Sequence, residues 1–151
     1  MSVPFEVKRI DHIAFCVADG DVAAKRLAEL FDLPMVHDEH VESQKVQAKF
    51  LEVGKVPMGA EIEIISSRGN PSIDRFLEKR GPGLHHLAIE VVGIEAALAW
   101  LKNKGVQLID ETPRPGARGH KVAFLHPNAT GGVLVELVEK APMDKERVEK
   151  A

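Results

Sequence analysis

Apolar and polar residues follow one pattern in the first half of the chain and repeat it in the second half. Two apolar runs typical of buried strands, IDHIAFCV from Ile10 and LHHLAIEV from Leu84, each precede a segment with helical spacing. These segments are VAAKRLAELF from Val22 and AALAWLKNKG from Ala96, and Gly105 is expected to end the second helix. Alternating, β-branched stretches follow in both halves. Each half therefore predicts a strand, a helix and then three strands.

Chemically distinctive residues occupy matched positions of this repeat. His12 aligns with His86 at an offset of 74 (86 − 12), and Glu63 aligns with Glu136 at an offset of 73 (136 − 63). A chance match is the alternative interpretation, since strand and helix patterns of this length are common in proteins that contain both. Hydrophobic periodicity alone does not select histidine opposite histidine and glutamate opposite glutamate. We therefore interpret the pattern as an internal duplication.

The duplication predicts an α+β fold in which two tandem βαβββ modules form a curved mixed sheet around a metal site. We expect one domain over residues 1–151, with module one at about 8–67, a joining segment at 68–82 and module two at about 83–140. A chain of this length can bury a sizeable core. The joining segment contains SIDRFLEKRG from Ser72, which predicts a short helix that stops at Gly81 and Pro82. Residues 141–151 are charged, and we expect a frayed or short helical tail.

His12, Glu63, His86 and Glu136 are predicted to bind one divalent metal ion per chain. Taken alone, each has an ordinary explanation as a hydrogen-bonded core histidine or a solvated carboxylate. A pseudo-twofold axis between the modules would instead bring both imidazoles and both carboxylates around one point. Such a ligand set suits Co, Mn, Ni, Zn or Fe better than Ca or Mg, and it leaves two positions open on a six-coordinate ion. Strand alternation then predicts that His85 faces away from His86.

Composition and charge narrow the function further. The formal net charge of −3 provides no overall basic field, so a nucleic acid partner is not expected. No apolar run approaches the roughly 20 residues that span a bilayer. The single cysteine, Cys16, lies in an apolar run and is expected to be a buried strand residue. The start of the chain lacks the features of a secretory signal, and we expect a cytoplasmic protein.

Three longer runs resemble a known superfamily. They are RIDHIAF from Arg9, FLEKRGPGLHHLAIEV from Phe76, and GARGHKVAFLHP followed by GGVLVEL, from Gly116 to Leu137. They are similar to the vicinal oxygen chelate (glyoxalase/bleomycin resistance) superfamily and, within it, to the methylmalonyl-CoA epimerases. The resemblance implies a glyoxalase-like fold, the same four metal ligands, an acyl-CoA substrate and a homodimer.

The resemblance also implies a reaction and its catalytic residues. A metal-dependent epimerase would interconvert the 2R and 2S forms of methylmalonyl-CoA by α-proton removal through a metal-stabilised enolate. Glu136 is our first candidate for a base. Several bacterial epimerases have a glutamate where this chain has Ala48, and Glu61, on the same strand face as Glu63, is a candidate replacement. The alternative for Glu61 is an exposed carboxylate at a strand edge.

Arg114, Arg118 and Lys121 cluster in one loop and are predicted to bind the CoA phosphates, with ordinary solvated charges as the alternative. Three other functions remain for comparison. A glyoxalase I (lactoylglutathione lyase)-type isomerase can have the same ligand set. A ring-cleaving dioxygenase uses two histidines and one carboxylate, so the fourth ligand at Glu63 argues against it. A non-catalytic small-molecule-binding protein of the superfamily would typically lack the four ligands.

Overall fold

The elements are those of two repeated units joined by a helix, as seen in a computed structural model that describes residues 2–55 and 58–142. The first unit contains β1 (Glu6–Cys16), α1 (Gly20–Phe31), β2 (Met35–Val41), β3 (Val46–Val53) and β4 (Ala60–Ser67). Helix α2 (Pro71–Arg80) follows. The second unit contains β5 (Gly83–Val92), α3 (Ile94–Asn103), β6 (Arg114–Pro115), β7 (Lys121–Leu125) and β8 (Val135–Glu139). Most of the predicted tail, from residue 143 onward, lies outside the described residues.

Local signals in the sequence explain where the helices begin and end. Asp19 precedes α1 and accepts a hydrogen bond from the backbone N–H of Val22 at 3.2 Å, as an N-cap residue does. Asn70 caps α2 in the same way, and Gly81 ends that helix with a φ of 72°. Gly105, with a φ of 78°, lies just beyond the end of α3. The expected ends of the second and third helices are therefore confirmed.

All strands belong to one mixed sheet with the order β2-β3-β4-β1-β5-β8-β7-β6. The β1–β4 and β5–β8 pairs are parallel, and the other neighbours are antiparallel. In the central pair, Ile13 lies opposite Leu87, its own counterpart in the 74-residue repeat. The pseudo-twofold axis therefore passes between these two residues. The predicted α+β fold of two βαβββ modules in one curved mixed sheet is confirmed.

Strand register repeats between the modules as closely as the order of elements does. In each module the metal-site glutamate lies beside an alanine of the first strand and opposite a phenylalanine of the third. The residue sets are Ala14, Glu63 and Phe50 in module one, and Ala88, Glu136 and Phe124 in module two. Because each residue has its counterpart from the other module, the duplication fixes the positions of side chains as well as the fold.

The sheet has two differently covered faces. We call the face that carries His12 and Glu63 the inner face. Helix α2 packs against one end of it, where its residues Ile73 and Phe76 contact a cluster that includes Cys16. Cys16 is fully buried, as predicted. Helix α3 packs on the other face against β7 and β8. Among the described helices, none is long and apolar enough to cross a membrane.

The second strand of module two is much shorter than its counterpart in module one. Strand β6 contains only Arg114 and Pro115, whereas β2 has seven residues. Pro113 and Pro115 have no backbone N–H to donate to a sheet ladder, so this edge cannot pair over its full length. The loop that follows, Gly116–His120, folds over the inner face instead of extending the sheet.

Candidate metal centre

The four predicted metal ligands meet on the inner face, one histidine and one glutamate from each module. The Nε2 atoms of His12 and His86 are 3.3 Å apart. Glu136 places one carboxylate oxygen 3.4 Å from His12 Nε2 and the other 3.8 Å from His86 Nε2. The corresponding distances from Glu63 are 3.9 and 3.8 Å. All four side chains are buried, with exposures of 8% or less.

This cluster has the composition and spacing of a cation site. His12, Glu63 and His86 present donor atoms that all lie within 4.8 Å of one another. Ligand atoms at roughly 2.0–2.2 Å from a common ion are separated by distances up to about twice that length. Two buried carboxylates also repel each other strongly unless protons or a cation compensate for their charge. The residues present therefore fit a divalent metal ion.

The outward nitrogen of His12 is held by its neighbour Asp11. The Nδ1–H of His12 donates to the Asp11 carboxylate at 2.6 Å, which leaves Nε2 free to face the cluster. Asp11 also pairs with Lys140 at 2.5 Å and with Arg9 at 3.5 Å. Between the pairs Ile10–Ile89 and His12–Ala88, Asp11 is an extra residue in β1. This bulge allows two successive side chains to reach the same face.

His85 is the equivalent of Asp11 in module two, 74 positions later. It is an extra residue in β5, and its Nδ1 lies 2.8 Å from Nδ1 of His86. Because Nε2 of His86 faces the cluster, its Nδ1–H is the donor and His85 Nδ1 the acceptor. The prediction that His85 faces away from His86 is wrong, since a bulge interrupts the strand alternation on which it rested.

Burial and mutual charge shift the pKa values of the four residues when no cation is bound. Burial disfavours charge on His12, but the carboxylates of Glu63, Asp11 and Glu136 outweigh it and raise the pKa of His12 to about 9. Burial, reinforced by the charge of Glu63, raises the pKa of Glu136 to about 8. Burial also raises the pKa of Glu63 and, together with the charge on His12, lowers that of His86. The cluster thus retains protons that a cation would displace.

The other predicted site residues do not form a single cluster. Both oxygens of Glu61 bind the guanidinium of Arg118, at 2.7 and 3.1 Å. Lys121 pairs with Glu95 at 2.7 Å on the surface. Arg114 lies over the Phe124 ring and 3.4 Å from Asp110. The three cations predicted to bind CoA phosphates are therefore engaged in separate ion pairs.

Three cavities of the described part of the chain lie at or beside the cluster, and one of about 670 Å³ is lined by His86, His85 and Phe76 of α2. A narrow cavity contains His12, Glu63 and Glu136 in its lining and is covered by Ala117 and Arg118. A wider cleft of about 340 Å³ lies beyond Arg118. The cleft is lined by charged and polar residues from both modules, including Arg9, Glu61, Glu90, Arg118, His120 and Lys140. Sequence reasoning missed the contribution of Asp11, Lys140 and His120 to these walls; only the position of Asp11 next to His12 offered a signal.

A comparison with known protein families agrees with this architecture. Residues 11–124 match the family model described as the Glyoxalase/Bleomycin resistance protein/Dioxygenase superfamily. The chain belongs to this superfamily. Other members of the glyoxalase/bleomycin resistance superfamily are therefore the appropriate proteins with which to compare the inner-face cluster.

Several superfamily members are similar over most of the chain. An uncharacterized Bacillus subtilis protein, YqjC, is 40% identical over 88% of this chain and 93% of its own length. The human mitochondrial methylmalonyl-CoA epimerase is 35% identical over 85% of this chain and 72% of its own length. A Streptomyces coelicolor methylmalonyl-CoA epimerase variant in complex with 2-nitronate-propionyl-CoA has a TM-score of 0.85 at 28% identity. That alignment covers 90% of this chain and 99% of the other.

Proposed function

We propose that this protein is a metal-dependent epimerase that interconverts the 2R and 2S forms of methylmalonyl-CoA. The observation that supports it most is the buried cluster of His12, Glu63, His86 and Glu136 in a chain with methylmalonyl-CoA epimerases among its relatives. The reaction is the removal of an acidic proton next to a thioester and its return to the opposite side of the same carbon.

A divalent cation bound by these residues would supply Lewis-acid stabilisation of the negative charge that develops on the thioester oxygen. The residues of the chain supply the proton transfers. Glu136 is the first base, because a carboxylate ligand that loosens from the cation can accept the proton. Glu63 is its counterpart across the pseudo-twofold axis. We assign Glu63 to the opposite face of the substrate carbon.

The ion pair between Glu61 and Arg118 bears on the second candidate base. Both carboxylate oxygens of Glu61 accept hydrogen bonds from Arg118, so neither is directed freely at a substrate. We therefore assign Glu61 to holding Arg118 in place. Ala48, on β3, is almost completely buried and supplies no acid or base.

Solvent exchange at the α-carbon tests this function directly. Methylmalonyl-CoA in deuterated water should gain deuterium at the α-carbon with cation-loaded protein and not with chelator-stripped protein. Glu136→Gln should lower the exchange rate by about 10²-fold or more, since a general base contributes that much. Absence of exchange, with turnover of the glutathione hemithioacetal of methylglyoxal instead, would contradict the epimerase and indicate a glyoxalase I-type isomerase.

Finer features of the assignment are also proposals. The native cation is one of Co, Mn, Ni, Zn and Fe, because both imidazoles and both carboxylates belong to the ligand set. The functional unit is a single domain of two modules that acts as a cytoplasmic homodimer. Sedimentation of the purified protein with and without the cation measures the oligomeric state.

A further inference from the structure

Arg118 is held in an unusual backbone conformation at the edge of the metal cavity. Its φ is 61°, a left-handed conformation that costs a non-glycine residue roughly 1 kcal/mol. Its backbone N–H donates to the Glu39 carboxylate at 2.9 Å. Its guanidinium lies over the Phe50 ring, 4.5 Å from the centroid, and is fixed in two places by Glu61. Glu39 thus holds the backbone of Arg118, and Glu61 and Phe50 hold its side chain.

The position of Arg118 separates the metal cavity from the outside. It lines the cavity that contains His12 and Glu63, and it also lines the charged cleft beyond. Helix α2 packs on the inner face after β4, the last strand of module one. At the pseudo-equivalent place, after β8, the described chain continues through Lys140 and Ala141, which line the cleft. Arg118 therefore lies where the cavity and this cleft meet, and a substrate bound in the cleft would contact its side chain.

The guanidinium retains donors for such a substrate. An arginine has five N–H donors, and the pair with Glu61 uses one on each terminal nitrogen. The remaining donors form a fixed cationic edge, and a guanidinium matches the geometry of a carboxylate. Its side chain is only 22% exposed, so the charge is poorly screened by water. A 2-carboxyacyl thioester carries an anionic carboxylate bonded directly to the carbon that loses its proton.

We propose that Arg118, held by Glu61 and Phe50 at the mouth of the metal cavity, is a specificity-determining residue that binds the free carboxylate of the 2-carboxyacyl-CoA substrate. This inference rests on the proposed function and adds the group that recognises the acyl part. It replaces the prediction that Arg118 binds a CoA phosphate. Glu61 acts as the positioning residue for Arg118.

Three substrates distinguish the carboxylate from the phosphates. They are methylmalonyl-CoA, its carboxamide analogue with an uncharged amide in place of the carboxylate, and methylmalonyl-pantetheine, which lacks the CoA phosphates. For each, the rate of α-deuterium uptake gives kcat and KM. Arg118→Met should raise KM about 10–100-fold for both carboxylate substrates, as expected for a lost charge-assisted hydrogen bond, and leave KM for the carboxamide unchanged. Arg118→Lys should recover part of this loss.

Two further variants test whether the effect of Arg118→Met on KM has another cause. Arg118→Gly removes the side chain and relieves the left-handed backbone, so agreement with Arg118→Met excludes a folding defect as the cause. Arg114→Met is the matched control. Arg114 lies over Phe124, the equivalent of Phe50, but does not line the metal cavity, so Arg114→Met should change KM for methylmalonyl-CoA and for its carboxamide analogue by the same factor.

Each result then supports or overturns the inference. A KM penalty for Arg118→Met that disappears with methylmalonyl-pantetheine would assign Arg118 to a phosphate and overturn it. An equal penalty with the carboxamide would also overturn it. If wild-type protein exchanged no proton of methylmalonyl-CoA, the proposed function itself would fail, which is a different outcome from normal exchange that is insensitive to Arg118.

Discussion

Asp11 and His85 are the residues that orient the two metal-site histidines, and they do so with different chemistry. Asp11 is a buried carboxylate whose pKa is held below its usual range: burial opposes this, but the hydrogen bond from His12 and the charge of Lys140 outweigh it. His85 is neutral, because burial and the nearby Arg80 lower its pKa. The anionic partner makes His12 the more basic ligand of the two.

Replacing Asp11 by Asn should therefore weaken cation binding. The amide keeps the size of the side chain and a hydrogen-bond acceptor, but it removes the charge that strengthens His12 and leaves Lys140 without its partner. We expect the affinity for the cation to fall about 10–100-fold. Competition with a fluorescent chelator measures it. Asp19→Asn is the matched control, because Asn also caps a helix N-terminus; an equal loss in both variants would contradict the orienting role.

At this scale the sequence predicts which residues form the inner-face cluster better than it predicts their hydrogen-bond partners. The repeat aligns histidine with histidine and glutamate with glutamate, and this made it possible to predict His12, His86, Glu63 and Glu136. The roles of Asp11 and His85 could not be predicted in this way. Regular strand alternation would place each of them on the face opposite its neighbouring histidine, and a bulge leaves no clear signal in the pattern of apolar residues. The position of Arg118 inside the site depends on a left-handed backbone and on contacts from three other strands or loops, none of which a local pattern contains.

At the scale of elements, the β3–β4 hairpin determines where Glu63, one of the predicted metal ligands, lies on the inner face. The register of this pair places Phe50 opposite Glu63 and Glu52 opposite Glu61. The turn depends on Gly59, whose N–H donates to the Lys55 carbonyl at 2.7 Å. A Cβ on Gly59 would lie 2.4–2.6 Å from backbone atoms of residues 53–55, closer than atoms can approach.

Gly59→Ala should thus disturb the hairpin and the metal site together. We expect the free energy of unfolding to fall by about 1–3 kcal/mol, as for overpacked sites. Cation affinity should also fall, because Gly59 immediately precedes β4, the strand that carries Glu63. Urea denaturation and chelator competition measure the two effects. Gly83→Ala is the control, since no atom lies within 4 Å of its Cβ. A stable Gly59→Ala protein with normal affinity would contradict this account.

Element order and strand pairing were more predictable than strand length. The repeat gave the order of strands and helices in both modules, and its 74-residue offset survives in the pairing of Ile13 with Leu87. The sequence did not predict that β6 would be so short, although it contains Pro113 and Pro115. A proline weakens a strand, but its position does not show at which residue the strand pairing ends.

For the whole molecule, the candidate metal centre also lies where the two modules meet. Each contributes one imidazole and one carboxylate, and the strands that carry them flank the pseudo-twofold axis. A bound cation would therefore connect residues up to 124 positions apart (136 − 12). Without a cation, bound protons compensate for the charge of the two carboxylates. Burial opposes a charge on His12, but the carboxylate of Glu63 outweighs burial and raises the pKa of His12. Burial itself raises the pKa of Glu136.

Cation binding should accordingly stabilise the fold in a manner that depends on pH. At 100 times Kd, a ligand stabilises the native state by about 2.7 kcal/mol, which for a chain of this size raises Tm by roughly 5–10 °C. Because their pKa values are raised, His12 and Glu136 bind more protons in the folded state than in the unfolded state. The cation-free protein therefore loses stability as the pH rises towards 9 for His12 and towards 8 for Glu136. The same protons compete with the cation at low pH. At a fixed free-cation concentration, the Tm increase should be larger at pH 8 than at pH 6 and absent in His86→Gln; equal shifts at both pH values would show that the cation binds elsewhere.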